Sequence, residues 1–250
     1  MTRLTRTALA AAGLAVFLAV WEALPRLGLL NETLVPPPSA IPAAFLREVR
    51  SGAWLAAVLS SLSHYLTGLA VGAGLGVGLG ILSGMFRLFE DVTAWIVRLL
   101  RPIPGLAWVP FAIIWFGVEP AAAVFIIAIG VFWIVFFATQ GAIRGVDRDM
   151  IEVAQAFGFR SAFARLVKIL LPAATPGILV GVRTALGQAW MAVVAAEIFG
   201  VYGVGQRMMQ ASSLLASDIV LVYMLTMAGL YGLIDAGFVA LQNWLLRWRA

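Results

Sequence analysis

The stretch EVAQAFGFRSAFARLVKILLP, residues 152–172, is a polar and basic segment between two strongly apolar parts of the chain. Residues 121–140 before it have no charge, and residues 173–199 after it have only two. Ionisable side chains are costly among acyl chains and are rare in membrane spans. We therefore interpret residues 152–172 as a loop outside the membrane on which another molecule docks.

Composition places most of the chain in a bilayer. It is 62% hydrophobic and 12% charged, against about 45–50% and about 25% in soluble domains. Its length predicts one transmembrane domain, residues 1–250. The absence of cysteine and the single histidine exclude disulfides and thiolate ligands and argue against a metal site. We interpret the net charge of +5 as a topology signal, not as a sign of nucleic-acid binding.

Six apolar segments are long enough to cross a bilayer, which takes about 20 helical residues. They are 8–24, 55–84, 92–116, 121–140, 173–199 and 218–241. The first resembles a signal peptide, but no clear small-x-small cleavage motif follows it, so we expect an uncleaved helix. Charges and prolines interrupt the third, which is expected to begin as an interfacial helix and to cross only after Pro102.

The distribution of basic residues predicts that both termini are cytosolic. With six crossings in this orientation, ten basic residues lie inside and four outside, as the positive-inside rule requires. The inner ones are Arg3, Arg6, Arg87, Arg144, Arg148, Arg160, Arg165, Lys168, Arg247 and Arg249. The outer ones are Arg26, Arg47, Arg50 and Arg207.

Glycines in the second span recur every four residues, so they lie on one stripe of a helix. They are Gly68, Gly72, Gly76, Gly80 and Gly84. Small residues let membrane helices approach closely, and we expect this stripe to pack against a neighbouring helix. The G-x-G-x-x-G spacing of a dinucleotide-binding turn is not met.

Local signals divide the polar segment into two short helices. Asp147 or Asp149 is expected to cap a helix that begins near position 150. Gly158 should end this helix, because glycine tolerates turn geometry. Ser161 is expected to start a second helix that ends before Pro172.

These two helices would form a knob that fits a groove on a partner. Ala154 and Ala156 keep the knob slim, and Phe157 is an apolar anchor beside the break. Glu152 and Arg160 can set its register by charge pairing. From these residues alone, an ordinary amphipathic loop at the membrane surface is an equal alternative.

The segment resembles the cytosolic docking loop in the permease subunit of bacterial ABC importers. That family has Glu-Ala-Ala, a glycine six positions after the glutamate, and then Ile/Leu-x-Leu-Pro. Glu152, Ala154, Gly158, Leu171 and Pro172 match, and a valine replaces the first alanine. The resemblance implies an all-α, type I importer permease with a core at 55–245 and a cytosolic coupling helix within 145–172.

Two further runs are similar to permeases of the nitrate/sulfonate/taurine group. They are RPIPGLAWVP at 101–110, followed by IWFG at 114–117, and ALGQAW at 185–190, followed by Ala196-Glu197. The group implies a small solute, with an organic or inorganic anion such as a sulfonate, taurine or nitrate favoured. Aromatic carboxylates and thiamine precursors remain alternatives.

The chain cannot be its own ATPase. A Walker A loop needs a Gly-Lys pair, and the only lysine, Lys168, follows a valine. The resemblance implies two cytosolic ATPase subunits that hold ATP and Mg²⁺, a periplasmic or lipid-tethered solute-binding protein, and a second permease copy in the bacterial inner membrane. We expect no cofactor and no covalent chemistry in this chain.

The fifth span has a line of residues that we interpret as one wall of the translocation pathway. Arg183, Trp190 and Glu197 fall within about 40° of a common line, with Arg183 and Glu197 about 21 Å apart. Ionisable residues in a span usually face an aqueous cavity. The alternative is that Glu197 contacts water or a partner at the outer surface and that Arg183 extends to the inner interface.

Two other polar span residues are pathway candidates. His64 is expected to take part in interfacial polar packing, or to act as a gate or a substrate contact. Asp235 is expected either to pair with a span arginine or to line the pathway. Because an anion would be attracted by Arg183 and repelled by Glu197, these residues alone do not define the charge of the solute.

Two other classes of membrane protein predict different sequence features. An ion-gradient-driven secondary transporter predicts a carboxylate relay near the midplane and inverted repeats, and neither is clear here. An intramembrane enzyme needs a convergent acid/base or metal cluster, which one histidine and scattered carboxylates do not supply.

Overall fold

The computed structural model describes residues 3–159 and 161–249, and this part of the chain is helical without strands. Its α-helices are α1 (Arg3–Arg26), α2 (Ile41–Arg50), α3 (Ala53–Met85), α4 (Arg87–Leu100), α5 (Val109–Phe116), α6 (Pro120–Arg144), α7 (Arg148–Ala156), α8 (Ala162–Arg165), α9 (Leu171–Ile198), α10 (Val204–Ser213) and α11 (Ser217–Leu245). Short 3-10 helices occupy Pro38–Ala40, Gly105–Trp108 and Arg247–Arg249, and a π-helix occupies Leu166–Leu170. The all-α prediction is confirmed.

Within the described residues, five helices are long and apolar enough to cross a membrane: α1, α3, α6, α8–α9 taken together, and α11. A sixth crossing exists if α4 and residues Gly105–Phe116 are counted as one span, and these two pieces meet at 84°. The break follows Leu100, where Pro102 and Pro104 lack the backbone donor that an α-helix needs. The predicted interruption of the third span is therefore confirmed.

The pair α3 and α6 forms the centre of the bundle. The glycine stripe of α3 lies along α6, where a Cβ on Gly68 would come within 2.6 Å of the Ile127 Cβ. A Cβ on Gly80 would come within 2.7 Å of the Thr139 Cβ. By contrast, Gly74 has open space around its Cα. The stripe thus sets a close, continuous contact between the two backbones.

An adjacent face of α6 carries α9 at similarly short range. A Cβ on Gly181 would lie 2.2 Å from the Ala138 Cβ, and one on Gly177 would lie 2.8 Å from the Ala142 Cβ. The buried core between the three helices is aliphatic and small-residue rich. It includes Ile126, Ile127, Val131, Val135, Ala185, Ala189 and Val193.

The helix that Ser161 begins does not end before Pro172, and that prediction is wrong. α8 continues through the π-helix Leu166–Leu170 directly into α9, where Pro172 occupies the first turn. A proline lacks a backbone donor and crowds the carbonyl four residues earlier. The wider π turn takes the chain past this position without a break.

Helix α1 lies apart from the bundle, with an exposed apolar surface. Its contact near the end is polar: the Glu22 carboxylate accepts hydrogen bonds from the Ser39 backbone N–H at 3.0 Å and from the Ser39 hydroxyl at 2.7 Å. The exposed face of α1 is therefore free to contact lipid or another chain.

Candidate functional site

The polar segment forms the helix–break–helix that its caps predict. The Asp147 carboxylate accepts the Asp149 N–H at 3.0 Å and starts α7 at Arg148. The chain leaves the helix after Ala156 and takes φ +93° at Gly158, a value that favours glycine. The Ser161 hydroxyl accepts the Ala164 N–H at 3.1 Å and starts α8.

The residues predicted to dock on an ATPase are divided between two faces of α7. Glu152, Ala156 and Gly158 are exposed, and Phe157 is 79% exposed. Ala154 is 9% exposed and faces the rest of the protein, so it does not lie on the exposed face of α7. Its small side chain instead lets α7 lie close to the bundle. Arg160 lies outside the described residues.

The inner face of α7 is packed against the ends of two spans. Ile151 contacts a buried cluster that contains Ile143 from α6, Leu170 from the π-helix, and Ala174 and Ile178 from the start of α9. Apolar burial of this kind contributes about 25 cal/mol per Å². Helix α7 is thus held by the bundle on one face and exposed on the other.

A second site lies midway along α9 and α11. The Arg183 guanidinium donates to both carboxylate oxygens of Asp235, each at 2.9 Å. The two side chains remain 47% and 28% exposed. They line an open groove of about 380 Å³ together with Val180, Thr184, Tyr231 and Gln242. This resolves the alternatives for Asp235: it pairs with a span arginine and also faces an open groove.

A buried polar network closes the far end of α9. Glu197 is fully buried, and its carboxylate accepts the Ser61 hydroxyl at 2.7 Å and the Gly205 N–H at 2.8 Å. The His64 Nδ1 lies 3.2 Å from the same carboxylate. Since the Ser61 hydroxyl oxygen also accepts the Val204 N–H at 2.9 Å, the network joins α3, α9 and α10.

The predicted pathway line along α9 therefore does not form one open wall. Arg183 faces the groove, whereas Glu197 and His64 are enclosed. Trp190 between them is 8% exposed and packs edge-on against Tyr65, with ring centroids 5.2 Å apart. The alternative for Glu197, contact with water at the surface, is also wrong. Helical periodicity predicts which side chains of α9 point in the same direction. It does not predict which of them a neighbouring helix covers, and here α3 covers Trp190 and Glu197.

Sequence reasoning missed a polar cluster at the end of the bundle far from α7. Arg207 donates to both oxygens of Glu48, at 3.1 and 2.9 Å, and the Tyr223 hydroxyl donates at 2.6 Å. Burial raises the pKa of Glu48, but the hydrogen bonds from Tyr223 and Arg207 together outweigh it, so the pKa lies below its ordinary value. The three residues come from α10, α2 and α11, and no sequence spacing connects them.

Metal-binding chemistry has no support in the described residues, where no group of three or more His, Cys, Asp or Glu side chains is placed to hold an ion. The polar groups instead form ion pairs and hydrogen-bonded networks between helices. The arrangement has the parts of a transport protein: charged residues in a groove, a closed polar end and an exposed helix at the other end.

Comparison with known proteins gives the same assignment. Residues 76–249 match the family described as "Binding-protein-dependent transport system inner membrane component". A permease protein of Bacillus subtilis (strain 168) that is named for aliphatic sulfonates transport is 35% identical over 94% of this chain and 85% of its own length. The taurine transport system permease protein of Escherichia coli (strain K12) is 30% identical over 94% and 87%.

The fold also matches a solved structure. The crystal structure of an amino acid ABC transporter with histidines superposes with a TM-score of 0.61 at 18% identity, over 81% of this chain and 97% of that one. The predicted resemblance is thereby confirmed, and the chain belongs to the binding-protein-dependent inner membrane components of ABC importers, in the nitrate/sulfonate/taurine-type group of permeases.

Proposed function

We propose that this permease carries a small organic oxyanion, most favourably an alkanesulfonate, into the cell by alternating access that a separate ATPase drives. The observation that carries the coupling part is the position of α7. Its inner face is packed on the ends of α6 and α9, and its outer face presents Phe157 beside the Gly158 turn. A partner that moves α7 therefore also moves two spans.

The partners follow from the family and from the exposed face of α7. We infer two cytosolic ATPase subunits, each holding ATP and Mg²⁺, and each receiving one α7 knob from a pair of permease copies. A periplasmic or lipid-tethered protein would deliver the solute at the end formed by α2 and α10. ATP binding would bring the two knobs together and open that end, and hydrolysis would restore the inward-facing state.

The substrate class rests on the relatives and on one charged group. The relatives reported above are named for aliphatic sulfonates and for taurine, which is itself a sulfonate. In this chain the Arg183 guanidinium lies in an open groove within the span region, and a planar guanidinium matches the geometry of oxyanions. Nitrate and bicarbonate are also oxyanions that can accept hydrogen bonds from a guanidinium, and their binding is compared with that of methanesulfonate below.

We further propose an orientation with α7 and both termini in the cytosol and the α2–α10 end outside. In the topology predicted from the sequence, this orientation assigns ten basic residues to the cytosolic side and four to the outside, as the positive-inside rule expects for a protein of the inner membrane. Protease protection of tagged termini in spheroplasts checks this orientation, and cleavage of an N-terminal tag from the outside would contradict it.

The test of the proposed function is reconstitution with the ATPase encoded in the same host. Wild-type permease, Gly158→Asn and Gly158→Val are purified with the ATPase in vesicles, and uptake of labelled taurine and methanesulfonate is measured with and without ATP. Asparagine tolerates a positive φ and valine does not, so the asparagine variant should retain coupling and the valine variant should lose most of it. ATP-independent uptake, or equal uptake by both variants, would contradict the proposal.

A further inference from the structure

We infer that Arg183 is the anion-binding group of the pathway and that Asp235 is its built-in competitor, which an oxyanion displaces during transit. The inference deepens the proposed function and rests on it for the chemical class of the solute. The sequence allowed Asp235 to pair with a span arginine, and the structure identifies that arginine as Arg183, 52 positions away.

The depth of the pair is the first argument. Arg183 lies 12 residues after Leu171, about 18 Å along α9, and 15 residues before the end of that helix, about 22 Å. Arg183 is thus far from both ends of α9. A charged pair at this depth with 47% and 28% exposed side chains cannot face acyl chains cheaply. Its open side must therefore adjoin water or a second copy of the chain.

The geometry of the pair is the second argument. Two parallel N–H···O bonds, both at 2.9 Å, connect the guanidinium to the carboxylate. A sulfonate or other oxyanion offers two oxygens with similar spacing and can accept the same two donors. The bound carboxylate therefore occupies the position that an oxyanion would take.

Spare hydrogen-bonding groups in the groove are the third argument. Among the described residues, the Tyr231 hydroxyl and the Gln242 amide line the groove and make no hydrogen bond with another protein group. Thr184, in contrast, already donates to the Val180 carbonyl at 3.0 Å. The volume of about 380 Å³ exceeds by far the roughly 30 Å³ of one water molecule, so an oxyanion and several waters fit beside the pair.

Competition explains why both charges are present. Asp235 neutralises Arg183 when the groove is empty, which lowers the cost of keeping the guanidinium inside the bilayer. An incoming anion releases the carboxylate, and the carboxylate then competes for the guanidinium again and promotes release of the anion. A transport site needs such moderate affinity, because tight binding would trap the solute.

Binding measurements on charge variants test the inference without ATP. Full-length permease in nanodiscs is titrated with methanesulfonate at constant ionic strength, and binding is followed by calorimetry. Arg183→Gln should weaken binding about tenfold or more, because both charge-assisted hydrogen bonds are lost. Asp235→Asn should bind about threefold more tightly, because the competitor loses its charge. The double variant should bind as weakly as Arg183→Gln.

A purely structural ion pair gives a different pattern and would overturn the inference. In that case both single variants would weaken binding alike, and the double variant, which leaves no unpaired charge, would recover it. Arg26→Gln is the matched control: it removes the same charge from a different ion pair, Arg26–Glu22 at the end of α1, and should not change binding. Unchanged binding by Arg183→Gln, or no binding by the wild type, would also overturn the inference.

These outcomes separate this inference from the proposed function. ATP-driven uptake with unaltered methanesulfonate binding in Arg183→Gln would contradict the anion site and leave the importer function intact. The expected binding pattern without ATP-driven uptake would support the site and contradict the ATP-coupled function. Titration with nitrate and bicarbonate in the same variants distinguishes a sulfonate-selective site from a general oxyanion site.

Discussion

Gly72 and Ala128 bring the backbones of α3 and α6 into direct contact: a Cβ on Gly72 would lie 2.5 Å from the Ala128 carbonyl oxygen and 2.9 Å from its Cα. Both atoms belong to the backbone of a buried helix, so neither can rotate away as a side chain would. Any side chain at position 72 would therefore force the backbones of α3 and α6 apart.

Substitution of Gly72 should destabilise the protein. We expect Gly72→Ala to cost about 1–3 kcal/mol, the usual range for overpacking a tight core. Gly74→Ala, two residues away in the same helix, has nothing within 4 Å of its added Cβ and should not destabilise. Thermal unfolding of both variants in the same detergent checks this, and equal melting temperatures would contradict the close contact.

Phe157 should matter for partner binding and not for folding. It is 79% exposed, so Phe157→Ala should leave the melting temperature unchanged. If Phe157 is an anchor of the ATPase interface, its truncation should weaken ATPase binding about tenfold or more, as for interface hot spots. Binding to the purified ATPase is measured in detergent by calorimetry.

Leu214→Ala is the control for that experiment. Leu214 is equally exposed, at 79%, but follows α10 at the end of the bundle far from α7. Equal loss of ATPase binding in both variants would show that the effect is not specific to the α7 surface.

The buried Glu197 carboxylate should contribute to stability through its donors. Glu197→Ala leaves the Ser61 hydroxyl and the Gly205 N–H without an acceptor, which should cost about 2–4 kcal/mol. Glu197→Gln keeps one acceptor oxygen and should cost less. The measurement is chemical or thermal unfolding, and a destabilisation of the glutamine variant equal to that of the alanine variant would argue against hydrogen bonding as the cause.

Glu48 should make the α2–α10 end sensitive to acid. Its pKa in the folded protein is below the ordinary value of 4.5, so the ionised form favours folding. That contribution is fully present above pH 4.5 and is lost as the pH falls through the lower folded pKa. Glu48→Gln should be less stable than the wild type near neutral pH, and the difference should shrink in acid. A difference that is constant across this range would contradict the linkage.

Local features of the fold were predictable from the sequence because each depends on neighbouring residues. Asp147, Gly158 and Ser161 act within a few positions of themselves, and they produce the expected caps and break. The four-residue spacing of the glycines likewise fixes one face of α3, although it does not say that α6 is the helix that covers it.

Features that depend on distant contacts were not predictable in the same way. Glu197 and Ser61 are 136 positions apart, and Arg207 and Glu48 are 159 apart. The pattern of α9 placed Arg183 and Glu197 on one line, but α3 and α10 enclose Glu197 while Arg183 stays in a groove. Pro172 suggested a stop, and the π turn before it lets the helix continue.

This uninterrupted passage from α8 into α9 has a mechanical consequence. If a flexible loop connected α8 to α9, a displacement of α7 would not be transmitted to the membrane-spanning part of α9. Here α7 packs against one continuous helix that runs from Ala162 to Ile198 and contains a single π-helical turn at Leu166–Leu170. A displacement of the α7 end would therefore be transmitted along this helix past Arg183 to its other end, which lies beside the buried Glu197 network.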